Sequence, residues 1–308
     1  MYVDDDTDTV QDEKGVEMIQ READRSTAWV SDNRMVCSGD KTKLLIMGTH
    51  QQRQKLSNEN IDTSIVVCGD RVEETKSEKL LGLVVNNEFT WREYLYGESW
   101  RERKEDNFIG LIPKLSKRIG LLKRVKKFMK RDTFEKIADG IFTYNYCLPV
   151  FGNIWLNGDE PTRIKSFRKE DCRRLQVLQN RVMRLKTNLP QDTPCAELIK
   201  QAGDLSIHQA AAYHSLVLVH KIPKFETPDY LARKLAQRKP TENVIFPHRQ
   251  AFTIPLNANL SIARSGFCYR ASRVFNKLPL DLRSCDSTPR FKKEAKSWVR
   301  NNIGIKPP

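Results

Sequence analysis

A chain of 308 residues, 39% hydrophobic and 30% charged, is long enough for two or three domains and can fill ordinary cores, which excludes a wholly disordered protein. Its 53 Lys and Arg against 39 Asp and Glu leave a formal net charge of +14, which favours a polyanionic partner, nucleic acid ahead of an acidic membrane. Seven Cys without a C-x-x-C pair speak against a disulfide framework or zinc knuckle. The aliphatic run Leu216-Val217-Leu218-Val219 is far short of a membrane span and the acidic start is no secretory signal, so an intracellular protein with no membrane anchor is expected.

The chain opens on Met1-Tyr2-Val3-Asp4-Asp5-Asp6-Thr7, an aromatic residue and a Val followed by adjacent carboxylates. This pattern predicts a strand running into a tight turn with acids at its tip. Two-metal phosphoryl transfer needs oxygen ligands held that rigidly, because Mg²⁺ demands near-octahedral coordination while the attacking and leaving oxygens are both clamped. Residues 1–33 are acidic, so the basic excess lies further on. Val16, Ile19, Ala23 and Val30 fall at helical spacing and predict a helix near residues 12 to 33, packed on the sheet that carries the acids. After the turn signal Ser38-Gly39-Asp40, Thr42 to Gly48 predicts a strand, and Gln51 to Asn60 shows no pattern. Ser64 to Val67 and Lys79 to Val85 predict further strands, and Asn86 to Trp91 a turn with an aromatic anchor. The first hundred residues thus read as a small α+β unit.

These segments, in this order, resemble the reverse transcriptases of non-LTR retrotransposons. That family follows a Y-x-D-D box, here Tyr2-Val3-Asp4-Asp5, with a helix containing a Trp, here Trp29. Next come a turn and strand of the form L-N-x-x-K-T-K, here Cys37-Ser38-Gly39-Asp40-Lys41-Thr42-Lys43. The K-x-L-G-V-x-I-D-x-x-L-x-W segment comes after it, here running from Lys79-Leu80-Leu81-Gly82 to Trp91. Order and spacing agree across about ninety residues. Ser38 stands where the family usually has Asn, and Asn86 where it usually has Asp; neither departure touches a metal ligand.

From residue 92 to 106 the chain is rich in Trp, Tyr and charge and reads as a surface connection. Leu111, Leu115, Ile119, Leu122 and Met129 then form one helical stripe amid dense Lys and Arg. Phe134, Ile137, Ala138, Ile141 and Phe142 mark a second helix, and Leu175, Leu178, Val182 and Leu185 a third. Basic helices with apolar stripes resemble the thumb that comes after the palm in polymerases. A phosphate backbone carries no sequence information, so such a thumb needs cations on a rigid face rather than a code of base contacts. The candidates for that grip are Lys123, Arg124, Lys127, Arg173, Arg174, Arg181 and Arg184. Beyond Pro190, Ala196 to Gln201 and Ile207 to Ile222 predict helices, the latter nearly all apolar and so buried. His208, His214 and His220 recur there at six-residue spacing, which a helix spreads over different faces, and they read as core or surface residues rather than ligands. Arg273-Val274-Phe275-Asn276-Lys277-Leu278-Pro279 and Phe291 to Trp298 resemble the F/W-N-x-L-P and F-K-x-x-L-K segments that end many retroelement proteins.

The resemblance implies an α+β protein: a partial polymerase palm over residues 1–100, a thumb-like basic helical domain over 101–189 and a helical, Pro-punctuated region over 190–308. It implies RNA-templated DNA synthesis, in which a primer 3′ hydroxyl attacks the α-phosphate of a nucleotide with two Mg²⁺ stabilising the developing charge. Asp4 and Asp5 would be the metal ligands and catalytic carboxylates of this box, and Tyr2 and Val3 would border the primer end. Either Lys41 or Lys43 occupies the turn where the family places a lysine near the nucleotide phosphates, Lys41 being the closer positional match. An RNA template with a DNA primer, or an RNA–DNA hybrid, is the implied partner. In that family a third carboxylate, the fingers and most of the palm lie upstream of the box, and two adjacent acids alone cannot fix two metals and a nucleotide. The expectation is a C-terminal remnant, inactive as a polymerase by itself; the alternative is a noncatalytic basic nucleic-acid-binding protein.

Overall fold

The apolar positions at helical spacing after residue 12 do form a helix, α1, Glu13–Asp32, in the computed structural model of the chain. That structure describes residues 13–35, 42–48, 50–59, 62–80, 82–88, 90–97, 109–141, 148–151, 167–225, 228–237, 253–254 and 266–305. The predicted strand and acidic turn over residues 1 to 7, and Lys41, lie outside them. The chain divides into two units, Met1–Gly97 and Glu98–Pro308. The described residues are mostly helical with a few short strands. No described helix is long and apolar enough to cross a membrane.

In the first unit, Ala23 of α1 is buried with Ile65, Val67 and Val72, and Ile19 and Leu44 pack against that cluster. The helix also clamps a strand by its backbone. The Gln20 amide accepts from Val66 N–H at 2.9 Å and donates to Val66 C=O at 2.8 Å, standing in for a neighbouring strand. Among the described residues six strands follow: β1, Lys43–Leu44; β2, Val66–Val67; β3, Asp70–Arg71; β4, Glu73–Glu74; β5, Ser77–Leu80; and β6, Leu83–Asn86. They form three two-stranded pieces, β1 with β4 in parallel and β2 with β3 and β5 with β6 antiparallel.

Three expectations change here. Of Thr42 to Gly48, only Lys43 and Leu44 find a strand partner. Gln51 to Asn60, which lacks a pattern, is largely helix, part of α2, His50–Asn58. It buries no residue, so it needs no apolar stripe; straight-chain helix formers and the Arg53–Glu88 pair at 3.1 Å support it. The single strand expected over Lys79 to Val85 is a hairpin, because Gly82 sits at φ 88, a conformation that side chains disfavour, and folds β6 back on β5. Gly82→Val therefore costs about 1–2 kcal/mol, purely through the backbone. Nothing lies within 4 Å of a Cβ built there. The loss should appear as faster amide exchange over residues 77–86; unchanged exchange contradicts the hairpin. The turn between β2 and β3 is of the same two-residue kind, with Cys68 at φ 55 and Gly69 at φ 87.

At the end of β6, Asn86 closes the turn to Trp91 with its side chain, accepting from Thr90 N–H at 2.8 Å and donating to Thr90 Oγ1 at 2.6 Å. The stretch read as a surface connection starts with a short helix, α3, Arg92–Tyr96, in which Tyr94 and Leu95 are buried. Trp91 meets the Tyr94 ring edge-on at 6.3 Å.

The described elements of the second unit are all helices. Helix α4, Leu111–Val125, runs into a 3₁₀ turn, Lys126–Phe128. Next come α5, Arg131–Ile141; α6, Leu148–Phe151; α7, Lys169–Thr187; α8, Cys195–Ala202; and α9, Ile207–Phe225. The last are α10, Asp229–Lys234; α11, Phe267–Phe275; α12, Leu280–Arg283; and α13, Thr288–Asn302. The nearly all-apolar α9 is the hub: α6, α7, α10, α11 and α13 all pack on it. His220 stacks on Phe291 with ring centroids 4.0 Å apart, and Phe291 in turn lies 6.5 Å from Phe275. Each buried Phe of this kind contributes roughly 2–3 kcal/mol. The helix expected to end the thumb-like part shares a core with its successor, since Met183 of α7 packs with Leu198 and Ile199 of α8.

Buried amides set the register of this core. Ser206 caps α9 in a reciprocal box: its N–H donates to Gln209 Oε1 and its Oγ accepts from Gln209 N–H, both at 3.1 Å. Gln209 also donates to Ile303 C=O at 2.9 Å, and His208 Nδ1 meets Gly304 C=O at 2.9 Å. From α7, Gln176 accepts from Ile207 N–H and Gln179 donates to Leu205 C=O, each at 2.8 Å. The motif asparagine Asn276 grips Ile254 by its backbone, accepting from its N–H and donating to its C=O, both at 2.8 Å.

Candidate nucleic-acid interface

The stretch Ile109 to Arg131 contains nine Lys and Arg and no Asp or Glu. Folding turns that composition into a surface. Leu111, Leu115, Ile119 and Leu122 all go into the core, so the cations of α4 are carried on its other sides. Lys117, Lys123 and Arg124 are exposed, as are Lys127, Lys130 and Arg131 beyond the helix. Part of this charge serves the helix itself, since Lys123 and Arg124 in its last turn face the negative end of the α4 dipole.

Helix α7 packs beside α4 and presents a second basic face. Glu170, Arg173, Arg174, Val177 and Arg181 fall at helical spacing on its exposed side, and the buried residues, from Cys172 to Met183, take the other. Arg173 and Arg174 share Glu170, at 3.5 and 3.3 Å. These pairs are solvent-exposed and worth little, so a phosphate can compete for either guanidinium. Lys126 Nζ donates to Asn188 Oδ1, which brings the C-terminal ends of α4 and α7 together.

Of the seven cations expected to grip a backbone, Lys123, Arg124, Lys127, Arg173, Arg174 and Arg181 are exposed. Arg184 is turned inward: it donates to Thr193 C=O at 3.3 Å, and its Nε is buried without a hydrogen-bond partner. It fastens the loop after α7. Lys43 is exposed on β1, in register with Glu73. Tyr2, Val3, Asp4, Asp5 and Lys41 lie outside the described residues. Among the described residues, no group of three or more His, Cys, Asp or Glu is placed to hold a metal ion.

Comparison with protein-family models, with curated proteins and with solved structures finds no match to this chain.

Sequence reasoning missed Phe128. It lies off the apolar stripe of α4, and an aromatic residue set in a run of cations away from that stripe was the available signal. A cavity of about 240 Å³ between α5, α7, α9 and α13 is a weaker candidate. Its cation Lys186 is held by Asp139 and, at 3.3 Å, by Asp204. Burial works to lower the Lys186 pKa, but these two carboxylates outweigh it and hold it above the ordinary value. Burial first, then Lys296, depresses His214 on the same wall. A charge so balanced fits a structural role. Nor does the core offer a nucleophile in Cys172, whose thiol burial, aided by Asp171, pushes up to about 12.

Proposed function

We propose that the helical unit grips the phosphate backbone of nucleic acid, as the thumb of a reverse transcriptase does. We propose further that the chain is the C-terminal portion of an RNA-directed DNA polymerase of a non-LTR retroelement. The grip is carried by one observation: the nine cations and absent carboxylates of Ile109 to Arg131, five of the cations on α4, which buries Leu111, Leu115, Ile119 and Leu122 in the core, and four on the chain just after it. The family reading is carried by the run of motifs from Tyr2 to Trp91. In it Asp4 and Asp5 would hold Mg²⁺, which when bound supplies the charge stabilisation for nucleotidyl transfer. The grip itself needs none of them.

The test is titration of the 308-residue chain into an RNA–DNA hybrid at several salt concentrations. Binding should weaken steeply as salt rises, because each neutralised phosphate releases a counterion. Reversing Lys123, Arg124 and Lys127 to Glu, or Arg173, Arg174 and Arg181 to Glu, should weaken binding about tenfold or more at low salt and leave the circular dichroism unchanged. Equal affinity in both triple variants contradicts the grip. Asp4→Asn together with Asp5→Asn should leave binding intact in every case. Primer extension on an RNA template, lost in that double variant, would make the chain an enzyme; absent in both, it would leave a noncatalytic binding protein.

A further inference from the structure

Phe128 has no place in the core. Its ring is 79% exposed at the end of the 3₁₀ turn after α4, and Lys127 Nζ lies 4.9 Å from the ring centroid. A single exposed apolar residue is ordinary on a protein surface. The company of this one is not, because the surrounding Ile109 to Arg131 carry nine cations and no acid. Lys117, Leu121, Arg124 and Phe128 succeed one another at steps of four, three and four, and Leu121 is also exposed, at 60%. Cation and apolar group thus alternate along one side of the second half of α4 and the 3₁₀ turn after it. The Lys127 ammonium lies over one face of the ring, and the high exposure of the residue leaves the rest of the aromatic surface facing water.

An open aromatic face flanked by cations suits a nucleobase, whose π-face lies on the ring while its own phosphates meet the neighbouring ammonium and guanidinium groups. Inside a duplex each base face is covered by the next pair, so the ring favours a base without a partner. A lipid surface fits less well: Leu121 and Phe128 are seven residues apart, about 10 Å along a helix, with Arg124 between them, and offer no continuous apolar face to insert. We propose that Phe128 is a stacking platform for an unpaired nucleobase, making this end of α4 a binding site for single-stranded nucleic acid. The proposal rests on the reading of the basic helices as a nucleic-acid grip and adds to it a preference for the strand that runs on from a hybrid.

The experiment compares the full chain with Phe128→Ala and Phe128→Trp on two probes, a twelve-nucleotide single-stranded RNA and a blunt RNA–DNA hybrid. Phe128→Ala should weaken binding to the single strand about tenfold, within a range of roughly 5- to 150-fold, while binding to the hybrid changes less than about twofold. Phe128→Trp should restore it. Because Phe128 is exposed, neither variant should disturb folding, and circular dichroism checks it. Equal loss on both probes, or no loss on either while the Lys123, Arg124 and Lys127 reversals weaken both, overturns the platform and leaves the grip standing. No binding of the unaltered chain to either probe overturns both readings. Phe128-dependent sedimentation with phosphatidylglycerol vesicles, with single-strand affinity unchanged by Phe128→Ala, assigns the surface to lipid and overturns the platform.

Discussion

Asn276→Asp destabilises the helical unit by about 2 kcal/mol, although the two side chains have the same shape. The Asn276 amide holds both backbone groups of Ile254, at 2.8 Å each, and Ile254 is only 1% exposed. A carboxylate at that position still accepts from Ile254 N–H. It cannot donate to Ile254 C=O, and it sets a negative oxygen against that carbonyl. Asn276→Ala loses both bonds but adds no repulsion, so it should fall in the same range. Urea unfolding monitored by circular dichroism measures the effect, and a change below about 0.5 kcal/mol for both variants would mean that Ile254 is held by packing alone.

Acid should weaken the same unit through His220. This imidazole is 4% exposed, stacked on Phe291, with Nε2 3.4 Å from Thr288 Oγ1. Burial first, then the Lys224 ammonium, lowers its pKa from 6.5 to about 4, against a smaller opposing pull from Asp286. The folded form therefore takes up the proton later than the unfolded chain does. The stabilisation is fully present above pH 6.5, is lost progressively as pH falls, and is gone below about pH 4. The full loss is up to about 3 kcal/mol. His220→Phe keeps an aromatic ring against Phe291 and should flatten most of this dependence, with the remaining slope belonging to His214, which burial shifts the same way. Unfolding midpoints measured between about pH 7.5 and pH 4.5 decide it: parallel curves for the two proteins would remove His220 as the source.

How much of the fold the sequence discloses depends on how much each segment buries. The stripe Leu111, Leu115, Ile119, Leu122 is legible because all four side chains go into one core, and α9 is legible because it is apolar on nearly every side. Helix α2 was hidden for the opposite reason, since a helix that buries nothing leaves no period. Ile137 keeps the spacing of a core residue yet is 41% exposed, because only Phe134 and Ala138 of α5 reach the interior. Tyr94 and Leu95 are buried within a stretch whose charge suggests surface. The two-residue hairpins depend on backbone angles at Cys68, Gly69 and Gly82, which the short apolar runs around them do not reveal.

The candidate site divides in the same way. Charge density showed where the cations lie, since a basic face needs no partner to be recognised. It could not show that Arg184 turns back to Thr193, nor that Gln176, Gln179 and Gln209 are buried hydrogen-bonding groups rather than surface amides. Those assignments depend on residues far away in sequence. Asp4 and Asp5 remain known by their motif alone.

The amide bonds that lock α9 also order events in time. Gln209 and His208, at the start of that helix, take their partners from Ile303 and Gly304, and Phe291 of α13 covers His220. During synthesis α9, with eleven buried residues, leaves the ribosome well before these partners exist. At translation speeds of about 5–20 residues per second the wait is several seconds or more. For that interval the side of α9 that α11 and α13 will cover is open, and a chaperone or a second nascent chain can reach it before its own C-terminal segment does.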